Sequence, residues 1–129
     1  MARKATGRPT DGELEILKVL WELGPSTVSA VQQALNRRRP TTYTTALKML
    51  QIMTRKRLVL VDTTERAYVY RPRESRARVV RRLVSDLLSR VLDGSASELV
   101  LHALEHRRAA PAELEEIRRL LGELERRRR

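Results

Sequence analysis

Residues 40–57 read PTTYTTALKMLQIMTRKR, and wound as a helix they separate two chemistries. Ala46, Leu47, Leu50 and Met53 recur at the spacing that buries one face of a helix. The other face carries Thr41, Thr44, Thr45, Lys48, Gln51 and Arg55: hydroxyls, an amide and cations, with no carboxylate among them. Such a face suits an anion. Its N-terminal turn adds Thr42 and Tyr43 at the end of the helix that presents free backbone N–H groups and the positive end of the dipole. A threonine can offer a hydroxyl to a base edge and a methyl to thymine, and Lys48 can reach the acceptors of guanine. Helix-turn-helix proteins point this same end of their second helix into the major groove, so 42–57 reads as a recognition helix. The pattern also describes an amphipathic helix whose solvent side is basic, and the stretch by itself leaves both readings open.

Catalytic chemistry has little material. There is no cysteine, no glycine-rich phosphate loop and no nucleophile motif, which removes thiol catalysis, disulfides and cysteine metal sites. His102 and His106 stand four apart, a spacing at which two imidazoles can share a metal, but Glu105 lies off to the side and HALEH is not the HExxH pattern. They read as surface histidines, and neither a metal nor a cofactor is expected. Glu113, Glu115 and Glu116 are acids near the start of a helix, where they complement its dipole. The chain is expected not to be an enzyme.

Charge points the same way. Lys and Arg number 27 against 16 Asp and Glu, a net charge of +11 over 129 residues, with the excess greater in the half that ends at Pro72. The implied partner is a polyanion. No run of about 18 apolar residues occurs, so a cytoplasmic protein without membrane insertion is expected. Phe is absent, and the aromatics are Trp21, Tyr43, Tyr68 and Tyr70, leaving the core to aliphatic side chains.

The elements that must position this face follow from the flanking sequence. Residues 1–9 read as a flexible basic arm. Thr10 and Glu13 have capping-box spacing, and Leu14, Leu17 and Trp21, flanked by Ile16 and Leu20, form a buried stripe that Gly24 and Pro25 end. Thr27 can cap a second helix with Val28, Val31 and Leu35 inside. Arg37, Arg38 and Arg39 then precede the recognition helix. They are a solvated turn or a phosphate clamp, and their position favours the clamp. Residues 58–61 and 67–70 are β-rich around a polar tip carrying Arg66, with Pro72 closing the hairpin. Three helices and a hairpin make a winged helix-turn-helix, with 10–72 as the DNA-binding domain. Phosphates would meet Arg37, Arg38, Arg39, Lys48 or Arg55 at the groove edges, and Arg66; bases would meet Thr42, Tyr43, Thr45 and Lys48, with Thr44 beside them on the DNA-binding face.

Beyond Pro72 an arginine-rich stretch leads into three helices spanning 73–125, followed by a basic tail at 126–129. Val80, Leu83, Val84, Leu87, Leu88 and Val91 line the first of these; Ser95 and Glu98 repeat the capping-box spacing before the second; Pro111 suits the start of the third. So small a unit, without aromatics, buries too little surface to stand by itself. It is expected to complete its core with a second copy through Leu83, Leu87, Val91, Leu99, Leu104, Ile117 and Leu121. The fold class is therefore mainly α with a small β-hairpin wing, a winged helix-turn-helix followed by a three-helix dimerisation module. The alternative is a basic RNA-binding or ribosome-associated winged-helix protein without operator specificity.

The segments TDGELEILKVLWELGPSTVSAVQQAL and TYTTALKMLQIMTRKRLV, with the closing YVYRP, resemble the BlaI/MecI/CopY group of bacterial repressors, the penicillinase-repressor family, from about residue 10 to 124. The resemblance implies homodimers on a near-palindromic operator of double-stranded DNA, with TACA/TGTA-like half-sites, that block transcription. It places Thr42, Tyr43, Thr45 and Lys48 on the recognition helix and Arg66 on the wing. It also implies a membrane sensor protease system, with cleavage inside the middle dimerisation helix. Here His102-Ala103 stands where those members carry Asn-Phe. The cysteine cluster of the copper-sensing members is absent.

Overall fold

A computed structural model of the chain describes residues 8–106 and 109–128. Most of the expected basic arm at 1–9, and the last residue of the tail at 126–129, lie outside the described residues. The chain divides into two compact units, one ending at Arg82 and the other beginning at Leu83.

In the first unit the capping signals act as the sequence implies. Helix α1 (Asp11–Leu23) starts from Thr10, whose hydroxyl accepts from the Glu13 amide while the Glu13 carboxylate accepts from the Thr10 amide at 2.9 Å. That same carboxylate oxygen receives Lys56 Nζ at 2.7 Å, although Glu13 is almost wholly buried. One acid thus closes the start of α1 and ties it to Lys56. Beside it the helix passes close to Met49: a Cβ at Gly12 would lie 2.9 Å from Met49 Cε, the mobile end of that side chain. Thr27 caps α2 (Val28–Asn36) by accepting from the Ala30 amide, and Thr42 caps α3 (Tyr43–Arg55) by accepting from the Thr45 amide.

Helix α3 is two residues shorter at its C-terminus than the pattern 42–57 suggests. Lys56 is its C-cap, Arg57 takes φ +64°, the Leu58 amide donates to Met53 O at 2.9 Å, and the Arg57 amide donates to Thr54 O at 3.1 Å. These are the two bonds of a Schellman motif, with an arginine where glycine is usual. A left-handed backbone costs an L-residue about 1 kcal/mol relative to glycine. Arg57→Gly is therefore expected to stabilise the chain by about 0.5–1 kcal/mol, read as a higher urea midpoint at unchanged slope.

The motif consumes Leu58, so β2 is Val59–Asp62 and β3 is Val69–Pro72, each shifted from the expected 58–61 and 67–70. A third strand was not expected: β1 (Ser26–Thr27) pairs with β3, giving a sheet ordered β1-β3-β2, antiparallel throughout. The tip turns without glycine because the Asp62 carboxylate accepts from both the amide (2.9 Å) and the hydroxyl (2.7 Å) of Thr64. The Thr64 amide is the largest influence holding that carboxyl below the usual range.

Ile16, Leu17, Leu20, Val31, Leu50, Met53 and Val59 form the most deeply buried part of the core, with Tyr70 its buried aromatic. Trp21 closes one edge, its indole N–H donating to Glu74 O at 3.0 Å. Helix α4 (Arg76–Arg90) buries Val79, at 5% exposure, a residue outside the expected stripe, and leaves Val80 uncovered together with Val84, Leu87 and, just past its end, Val91. The first turns of α4 belong to the first unit, so the face they bury is chosen there.

The second unit holds the rest of α4, α5 (Ala96–His106) and α6 (Pro111–Arg127). Asp93 and Gly94 take positive φ at the end of α4, and Gly94 N donates to Leu88 O. Ser95 accepts from the Glu98 amide at 3.1 Å, whereas the Glu98 carboxylate lies 3.7 Å from His102 Nε2. Only the Ser95 half of the expected capping box is made. Neither α5 nor α6 contains a buried residue, and Val91, Leu101, Leu121 and Leu124 are more than half exposed. No helix among the described residues is long and apolar enough to cross a membrane.

Candidate nucleic-acid interface

Helix α3 is fixed from behind. Ala46, Leu50 and Met53 have no exposure at all, and Leu47 packs against the same core. What remains outward is Tyr43, Thr44, Thr45 and Lys48 along the first half, then Gln51, and Arg55 at the far end. Over the 13 residues of α3, Arg55 stands about 18 Å along the axis from Tyr43, at a rise of about 1.5 Å per residue. It is not part of the N-terminal cluster. Thr42, expected among the base readers, has its oxygen taken up locally: it caps the helix and lies 3.0 Å from the Thr45 hydroxyl.

The turn leading into α3 is held by side chains. Asn36 Oδ1 accepts from the Thr41 amide at 2.8 Å, Gln32 Nε2 donates to Thr41 O at 2.8 Å, and the Thr41 hydroxyl donates to Arg39 O. Arg38 N and Arg39 N both donate to Leu35 O. The three arginines therefore project, exposed, from a backbone with few loose groups.

They are not equivalent. Arg38 makes a 2.7 Å ion pair with Glu15 of α1, and Lys18 meets the same carboxylate at 3.0 Å. The hydrogen bond from Lys18 is the largest influence lowering the Glu15 pKa, and the charge of Arg38 adds to it. Arg37 and Arg39 make no ion pair among the described residues. Sequence reasoning missed Glu15, which faces a groove of about 450 Å³ shared with Arg38, Arg39 and Thr45. Nothing in local periodicity couples two residues 23 apart.

On the other side of α3, the wing tip brings Arg66 and Tyr68 beside Tyr43, with Tyr70 beneath. Burial is the chief cause raising the Tyr70 pKa, followed by the neighbouring hydroxyls of Tyr43 and Tyr68. Tyr68 was also missed, though the alternation in Ala67-Tyr68-Val69-Tyr70 puts both rings on one side of an extended segment. So Arg66 and Tyr43 are brought together, and Arg37, Arg38 and Arg39 stand at the opening of the same helix. His102 and Ala103 are exposed on α5, and no three His, Asp or Glu converge at metal-binding distance among the described residues.

Comparison with known proteins agrees with this layout. A family model described as penicillinase repressor matches residues 9–123. Two proteins named transcriptional regulator BlaI, from the CDC 1551 / Oshkosh and H37Rv strains of Mycobacterium tuberculosis, are each 37% identical to the chain over 118 residues. Those alignments cover 88% of this chain and 84% of the relative. With a match running from the cap of α1 to the last turns of α6, the chain belongs to the penicillinase repressor family.

Proposed function

We propose that this chain is a transcriptional repressor that binds double-stranded DNA as a homodimer, acting by occupancy and not by catalysis. The observation that carries the reading is the division of α3: a back face with no exposure, and a front bearing Tyr43, Thr44, Thr45 and Lys48 with no acid among them. A helix held that firmly can present side chains to base edges without ordering them first. Arg37, Arg39 and Arg66 are the phosphate contacts, and Arg38 joins them by sharing or leaving Glu15. The regulatory role is supported by the family and by the printed names of the mycobacterial relatives.

Dimerisation is supported by the leucine and valine side chains that α4, α5 and α6 leave in solvent. A second copy gives them cover, and a two-fold protein reads a near-palindrome whose half-sites are about one helical turn apart. Release occurs through cleavage in α5 at His102-Ala103 by a sensor protease system, or through another signal.

Duplexes selected from a randomised library by the protein, then measured by fluorescence anisotropy, test the reading. A dyad should be recovered, and loss of either half-site should remove most of the affinity. Lys48→Ala should cost about 1–3 kcal/mol on the selected duplex and relax the choice at one position of each half-site. Equal affinity for every duplex, or a preference for RNA, would leave only a basic winged helix without operator specificity.

A further inference from the structure

A cleft of about 260 Å³ opens between the start of α2, the start of α3 and the wing tip. Ser29, Tyr43, Tyr68 and Tyr70 give it hydroxyls, Arg66 gives it a cation, and no carboxylate lines it. The groove on the other side of α3 differs, since Asp11 and Glu15 stand in its wall against Arg38 and Arg39.

Tyr70 sets the cleft apart from an ordinary gap. It is only 3% exposed, a core residue by its ring, yet its hydroxyl has no hydrogen-bond partner among the described residues. No buried side-chain nitrogen or oxygen among the described residues lacks a partner, so this oxygen is not sealed in the core, and the residue lines the cleft. A buried tyrosine ordinarily satisfies its hydroxyl. Here the ring is spent on packing, while the hydroxyl is free to bond to whatever occupies the cleft, water or a ligand.

We infer that this cleft holds one phosphodiester of the DNA backbone, with the hydroxyls of Tyr70 and Tyr68 donating to its oxygens and Arg66 supplying the charge. The inference rests on the DNA-binding reading above. Three features select this ligand. The volume lies below the roughly 300–1,000 Å³ of small-molecule pockets. One guanidinium among neutral donors balances the single negative charge of a phosphodiester, whereas a phosphate monoester carries about −1.5 to −2. Tyr43 also belongs to the face proposed to enter the groove, so a strand engaged by α3 runs past this opening.

Tyr70→Phe tests the assignment. The ring stays in the core and the hydroxyl removed makes no bond within the described protein, so the free protein should keep its thermal midpoint. Affinity for the selected duplex should fall about tenfold, as for loss of a hydrogen bond to a charged group. Because no charge is removed, the salt slope should stay unchanged. Duplexes carrying single methylphosphonates should reveal one position per half-site where neutralisation weakens the parent but barely affects Tyr70→Phe. Tyr68→Phe, at a residue half exposed and outside the core, should show the same position and guards against a folding artefact. Parental affinity in both variants, or an equal loss at every modified position, overturns the assignment. A parent protein that binds no duplex overturns the function it rests on, an outcome distinguishable from the first.

Discussion

Leu50→Ala is expected to destabilise the first unit by about 3–5 kcal/mol, a large part of the roughly 5–15 kcal/mol that holds a domain of ordinary stability. Leu50 has no solvent exposure and sits on α3 among Ile16, Leu17 and Leu20 of α1, Val31 of α2 and Val59 of β2. Neighbours from three other elements cannot all move inward, so the removed methyl groups leave a cavity as well as lost apolar burial. The urea midpoint should fall while the slope stays the same. Because α3 is the element whose back face is lost, duplex binding should weaken at temperatures where most molecules are still folded. A loss below about 1 kcal/mol would mean that α3 is not anchored as described, and the case for a preset recognition face would fail with it.

The second large effect concerns the proposed dimer. Leu121, at 57% exposed, is the most exposed leucine among the described residues, so Leu121→Asp should leave the fold of a lone protomer almost untouched. In a dimer that covers this side chain, the same change places an unpaired carboxylate inside an apolar contact. Burial of an unpaired charge is costly, so the dimer should dissociate at concentrations at least about a hundredfold higher than the parent's, near 2.7 kcal/mol. Sedimentation velocity should show a monomer at micromolar concentration with an unaltered far-ultraviolet spectrum. The monomer should then bind a single half-site as well as it binds the full dyad. A dimer that survives the substitution places the interface away from α6.

The parts of this molecule that could be read from its sequence are those built by local rules. The capping box of Thr10 and Glu13, the Thr27 cap, and the stripe of Ala46, Leu47, Leu50 and Met53 depend on contacts within a few residues, and they appear where periodicity puts them. The order of three helices and a hairpin was legible in the same way, and the family match spans those residues. What escaped depends on distant partners or on a missing signal. Strand β1 is two residues long and doubles as a helix cap, too short for alternation to register. The end of α3 carries Arg57 instead of glycine, so the stop was placed two residues late. Val79 rather than Val80 is buried because the start of α4 answers to the first unit and not to the helices after it. At the candidate site, Lys48 and Arg66 were legible as exposed cations, but the restraint of Arg38 by Glu15 and the spare hydroxyl of Tyr70 exist only once the chain has folded.

The side-chain amides of Asn36 and Gln32 fasten the turn before α3 at Thr41, one taking its amide hydrogen and the other bonding its carbonyl. A segment already set in this way has no disorder to surrender when a duplex arrives. Its heat-capacity change on association should reflect desolvated surface alone, without the larger negative value that accompanies a disordered arm folding onto its target. Encounter rates should then be governed by long-range attraction and ionic strength, since no loop has to find its shape before the complex can close.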